Sequence, residues 1–215
     1  MAAKLRVFIL LTILAIVAGS AYLTKARLHS WKRPLVVAVH PVIAEPETAA
    51  FAQDWRALDG LDAFFDNRVQ FLLQPASARV PPMRPGEGAP WYDIVLYSLR
   101  LRAWAFRDKP KADCRVYVLF HNSTVGRVLE HSGSVPEARL GVVYTFADKR
   151  SDGQTRVAIA HELLHTLGAT DKDDGAEIMS GKLGDRLIDD LQESHIGVKT
   201  RQEVGLPATN TASSR

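Results

Sequence analysis

The sequence predicts an α+β layered domain, a small mixed sheet packed on helices, and three observations lead there. Short runs rich in valine and aromatic residues read as strands, longer runs with apolar residues at three- and four-residue steps read as helices, and the two kinds alternate rather than segregate. At 47% hydrophobic and 24% charged residues over 215 positions, the composition is that of a folded domain and excludes wholesale disorder.

The first feature is apolar. Residues 7–23 carry no charge and follow Lys4 and Arg6, so they read as a signal anchor at the short end of a membrane-spanning helix rather than a cleaved signal peptide. The expected order is a transmembrane segment at 1–24, a basic linker at 25–34, one domain at 35–205 and a flexible tail at 206–215. The lysines and arginines near the start place the domain on the periplasmic or extracellular side of a single-pass membrane protein. A lone Cys114 excludes a disulfide framework and suits a small buried hydrophobe.

Within the domain, Leu35–Ile43 reads as a buried strand. Residues 48–73 read as one helix, since Ala52, Trp55, Leu58, Leu61, Phe65, Val69 and Leu72 recur at helical steps with Gly60 as an interruption. The five prolines of residues 75–90 make a loop. Residues 91–107 are helical by period, 115–121 and Leu140–Phe146 are strands, 124–131 a short helix between them, 155–167 a helix ended by Gly168, and 183–194 a final helix.

Chemistry concentrates in residues 157–181. His161 and His165 are four apart on a helix, hence on one face with Cβ atoms about 5–6 Å apart. That spacing lets both imidazoles reach one Zn²⁺ at roughly 2.0–2.1 Å. Glu162 is turned about a quarter turn away, placed to take a proton from water at the metal rather than to ligate it. Gly168 lets the chain turn back at no steric cost, and three residues later Asp171 offers a third ligand. Asp173, Asp174 and Glu177 are neighbouring acids that read as a solvated loop, with Glu193 as a more distant alternative ligand.

The run His161-Glu162-Leu163-Leu164-His165-Thr166-Leu167-Gly168-Ala169-Thr170-Asp171, with Met179 in Glu177-Ile178-Met179-Ser180-Gly181, resembles the site motif of metzincin-type zinc metalloproteases. Aspartate in the last place is similar to the snapalysin-type variant. The resemblance implies a zincin-like fold, an active-site helix followed by a methionine turn, Zn²⁺ as cofactor, and a peptide or protein substrate along an edge strand, for which Leu140–Phe146 is the candidate. It covers only the site motif, and no tyrosine follows Met179 to act as an extra ligand.

The expected function is thus a membrane-anchored zinc metallopeptidase with His161, His165 and Asp171 on the metal and Glu162 as general base. The alternative is a non-catalytic zincin-like module that binds metal or a partner. An intramembrane protease is disfavoured, because residues 155–167 are too short to span a bilayer. The formal charge of +3 does not argue for nucleic acid, and His40, His121, His131 and His195 lack metal-ligand spacing to one another.

Overall fold

The computed structural model describes residues 7–8, 11–12, 15, 19, 22–23, 26–86, 88–108, 111–125, 132–173, 175–183 and 186–208. Its centre is a five-stranded sheet in the order β2-β1-β3-β5-β4, formed by β1 (Leu35–Ile43), β2 (Val69–Leu73), β3 (Cys114–His121), β4 (Gly133–Val135) and β5 (Leu140–Phe146). The first three pairings outward from β2 are parallel, and β4 alone runs antiparallel, against β5. The expected mixed sheet on helices is therefore present. The central strands are valine-rich because both of their faces are covered.

Helices on both faces give the sheet its layers. On one face, α4 (Asp152–Thr166) packs with α1 (Ala49–Asp54) and α2 (Leu61–Phe64) against Val37, Val39, Val116, Val118 and Val143. On the other face, α3 (Trp91–Ala105) buries Tyr97, Leu101 and Ala105 against Val42, Tyr117 and Val142. A buried hydroxyl pair fixes α4 to β5. Thr155 Oγ1 donates to Ser151 O at 2.7 Å, so the proton between Thr145 Oγ1 and Thr155 Oγ1, also 2.7 Å apart, comes from Thr145.

Several expectations change. The single helix at 48–73 is instead a 3₁₀ turn (Pro46–Thr48), two short helices and edge strand β2. Gly60 at φ +83°, Asp66 at +54° and Asn67 at +56° all take the left-handed region and break the helical path. The apolar period survives the break because α1, α2 and β2 all face the same core. The final helix expected at 183–194 is absent: Lys182–Leu183 and Arg186–Leu187 form a two-stranded pair (β6, β7), and Asp190 accepts from Gln192 N to open a 3₁₀ turn at Leu191–Glu193. The last described helix is α5 (Val198–Val204), seven residues and too short to carry a periodic signal. Of the helix expected at 124–131, residues 126–131 lie outside the described set.

The membrane position is also corrected. No helix among the described residues is long and apolar enough to cross a membrane, so the single-pass location at 1–24 is not upheld. Most of that segment lies outside the described residues, and its uncharged run was already at the short limit for a span. The stretch expected as a basic linker carries core residues: Leu28 and Trp31 are buried, and Trp31 Nε1 donates to Val204 O at 2.8 Å. Arg27 and Arg33 both reach Asp113, at 2.8 and 3.0 Å, and Asp113 also accepts from Val36 N at the start of β1.

Two positions give direct tests. Gly197 lies against the buried Glu177 carboxylate, where an added Cβ would sit 2.5 Å from Oε2. Gly197→Ala should cost about 1–3 kcal/mol, seen as a lowered thermal midpoint, and an unchanged midpoint would show that the contact is not tight. His40 stacks on Tyr117 with Nε2 buried and unpartnered, and burial lowers its pKa to about 4, with Asp108 opposing and Arg115 adding to the fall. The folded state thus favours neutral His40, and stability falls as pH drops from 6.5 towards 4. Unfolding across that window should show a shallower acid-side loss in His40→Phe.

Candidate metal centre

Helix α4 enters from the sheet and carries His161, Glu162 and His165 in its last two turns. Its end is a Schellman turn: Gly168 N donates to His165 O and Ala169 N to Leu164 O, each at 3.0 Å, with Gly168 at φ +102°. Glycine meets that conformation without strain, and the turn sends the chain back along the helix. Asp171 follows at once.

Backbone carbonyls beyond the helix orient both imidazoles. His161 Nδ1 lies 2.9 Å from Ile178 O, and His165 Nδ1 lies 3.0 Å from Ala169 O. A carbonyl accepts only, so each Nδ1 carries the proton and each Nε2 presents a lone pair. These two Nε2 atoms stand 3.0 Å apart, and Asp171 Oδ1 is 3.1 Å from that of His165 and 3.5 Å from that of His161. With both rings neutral, no proton is left to bridge the two ring nitrogens. Three acceptors facing one point repel one another unless a cation lies among them, and their separations are near the roughly 3.3 Å between tetrahedral ligands of Zn²⁺. The donor set fits such an ion, and it is the one group of this kind among the described residues.

Glu162 is 3% exposed, with Oε2 buried and without a hydrogen-bond partner. It sits over Gly141 of β5, where an added Cβ would come 3.3 Å from Glu162 Cβ. Burial pushes its pKa up to about 8, opposed by the positive charge of Arg84 and reinforced by Asp171. Burial likewise lowers the pKa of His161, which the Ile178 carbonyl opposes.

The segment expected to form a methionine turn folds as a 3₁₀ turn, Ile178–Ser180, with Met179 buried and Gly181 at φ +64°. It supplies the carbonyl that orients His161. Lys172 N donates to Met179 O at 3.1 Å, tying the segment that bears Asp171 to this turn. From α5, Glu203 accepts from Thr170 N and Thr170 Oγ1 at 3.0 Å and from Lys172 Nζ at 2.8 Å. The loop is therefore clamped on both sides of Asp171.

Among the neighbouring acids, Asp173 is exposed as expected and Asp174 lies outside the described residues. Glu177 is corrected: it is buried and accepts from Thr200 Oγ1, so it belongs to the packing between turn and α5 rather than to a solvated loop. Glu193 accepts from Asp189 N at 3.2 Å and is not in the cluster. His40 and His121 are elsewhere on the sheet, His121 against Glu45 at 3.1 Å, while His131 is outside the described residues. His195 contributes backbone only, its carbonyl accepting from Ile178 N. Sequence reasoning missed Glu203 and also His29, whose Nε2 lies 2.8 Å from Leu167 O at the end of α4. Neither has a fixed spacing to the motif. The edge strand is corrected too: β5 lies between β3 and β4, so β4 is the edge beside α4.

The chain matches no protein-family model and no curated protein. Among solved structures it is similar to an archaemetzincin from Methanopyrus kandleri, at 13% identity and a TM-score of 0.48, over 80% of this chain and 93% of that one. It is also similar to a zinc-dependent peptidase from Methanocorpusculum labreanum, at 14% identity and a TM-score of 0.40, over 78% and 99%. A third is metalloproteinase-II from Bacteroides fragilis, at 13% and 0.40, over 80% and 52%. Likeness at this level leaves the functional reading to the geometry of the site.

Proposed function

We propose that the chain is a zinc-dependent metallopeptidase of the metzincin type, with His161, His165 and Asp171 as ligands, Glu162 as general base and Met179 in the supporting turn. The observation that carries this reading is the convergence of two Nε2 lone pairs and one carboxylate oxygen, 3.0 to 3.5 Å apart, beside a buried unpartnered glutamate. Zinc held there would supply Lewis-acid polarisation of the scissile carbonyl and acidify water.

The protein's own residues do the rest. Glu162 Oε2, buried and without a hydrogen-bond partner, is the acceptor for the proton of the attacking water and passes it to the leaving amine. The Nδ1 bonds to Ile178 O and Ala169 O keep both rings from rotating out of the site. Glu203 positions the loop that bears Asp171. Edge strand β4 offers main-chain groups to an extended peptide, which would lie across the mouth of the site.

Glu162→Gln should retain zinc by elemental analysis and lose at least about 100-fold in cleavage of a fluorogenic peptide library. Unchanged cleavage would remove Glu162 from the mechanism. Glu203→Ala should weaken zinc affinity about 10-fold in a competitive chelator titration, because the Asp171 loop loses its clamp. An unaltered affinity would show that Asp171 is not held from α5.

A further inference from the structure

A cavity of about 570 Å³ lies behind the edge strand, walled by residues 84–86 and 88–89, the first half of α3 and β4 with the turn after it. It is on the opposite face of the sheet from Glu162. The pleat of β4 divides the two. Ser134 pairs with Gly141, the residue beneath Glu162, so it faces the catalytic side. Gly133 and Val135 pair with Val142 and Leu140, which pack under α3, so they face the cavity. A peptide added as the next strand continues this alternation. Every second side chain falls towards the metal centre and the others over the cavity.

The walls define what fits. Ile94, Val135 and the ring of Tyr97 give an apolar lining, and the volume is in the range of small-ligand pockets, enough for one large side chain. The cation at the rim is Arg84. Its guanidinium lies against Gly133, with Nη1 donating to Ser132 O at 2.8 Å, and a Cβ at position 133 would come within 2.3 Å of that nitrogen. The glycine is what admits the guanidinium to the strand edge. Arg84 is exposed, and a guanidinium has five N–H donors, so the Ser132 bond leaves a fork for a carboxylate. Glu137, the acid lining the far side, is 3.7 Å from Arg102.

We propose that this cavity is a substrate side-chain pocket which takes a large apolar residue with an acidic one two positions away on the same face, with Arg84 reading the acid. The proposal rests on the peptidase reading and names its substrate class: extended peptides with an apolar–acidic pair on the α3 side of β4. Arg84 is a specificity residue here, and its effect on Glu162 is common to every substrate, so ratios between peptides isolate its role.

The test uses the zinc-loaded full chain and peptides with one phenylalanine, in which Glu or Gln is placed two positions to either side. The wild type should favour Glu over Gln by about 10-fold in kcat/KM at one position, the scale of one charge-assisted contact. Arg84→Gln should bring that ratio to one. Ser98→Trp, which fills the cavity from α3, should cut kcat/KM for phenylalanine peptides more than for alanine peptides. The same rank order should appear in Kd for labelled peptides on Glu162→Gln by fluorescence anisotropy, without turnover. Equal Glu and Gln binding in the wild type, or a preference that survives Arg84→Gln, overturns the pocket. Arg84-dependent binding with no cleavage of any peptide keeps the pocket and instead refutes the peptidase.

Discussion

Everything in the site depends on two hydrogen bonds that point imidazole protons away from the cluster. His161 Nδ1–H is taken by Ile178 O and His165 Nδ1–H by Ala169 O, so both Nε2 lone pairs face the same space as Asp171. Each carbonyl belongs to a segment after the helix, so the site exists only when those segments fold back on α4. The Gly168 turn delivers the first carbonyl and the Ile178–Ser180 turn the second. Buried Glu177 with Thr200, and Glu203 with Thr170 and Lys172, anchor the returning chain to α5. Trp31 and His29, from before β1, close the far side of that arrangement at Val204 and Leu167.

The sheet contributes by what it leaves small. Gly141 on β5 gives Glu162 room to lie against the strand, and a methyl there would press on Glu162 Cβ at 3.3 Å. Gly133 on β4 does the same for Arg84 on the opposite face. One two-strand ribbon thus carries an acid on one side and a base on the other. Glu162 reaches the interior strand β5 from helix α4, while Arg84 reaches β4 at the sheet end.

The site was legible in the sequence where its spacing is fixed by helix geometry, and illegible where it is set by the fold. His161, Glu162 and His165 follow from 3.6 residues per turn, and Gly168 and Asp171 from the turn that must follow. Strands β1, β3 and β5 were read correctly because buried parallel strands are continuous apolar runs. Residues 48–73 misled because Ala52, Trp55, Leu58, Leu61, Phe65 and Val69 face one core from two helices and a strand, while Leu72 is exposed. Strand β4 was missed because three residues, one of them glycine, carry no alternation to detect. Leu28 and Trp31 were obscured by the surrounding positive charge, which turns out to pair with Asp113. Glu203 and Arg84 are single charged residues whose meaning comes only from what the fold sets beside them.

The central claim is that two imidazoles and one carboxylate hold a single zinc ion. Elemental analysis of the zinc-equilibrated full chain, with and without His165→Ala, tests it most directly when paired with circular dichroism to verify folding. The account predicts about one zinc per chain in the wild type and near-complete loss in a folded His165→Ala variant. A wild-type chain that takes up no zinc, or a variant that keeps it all, would contradict the account.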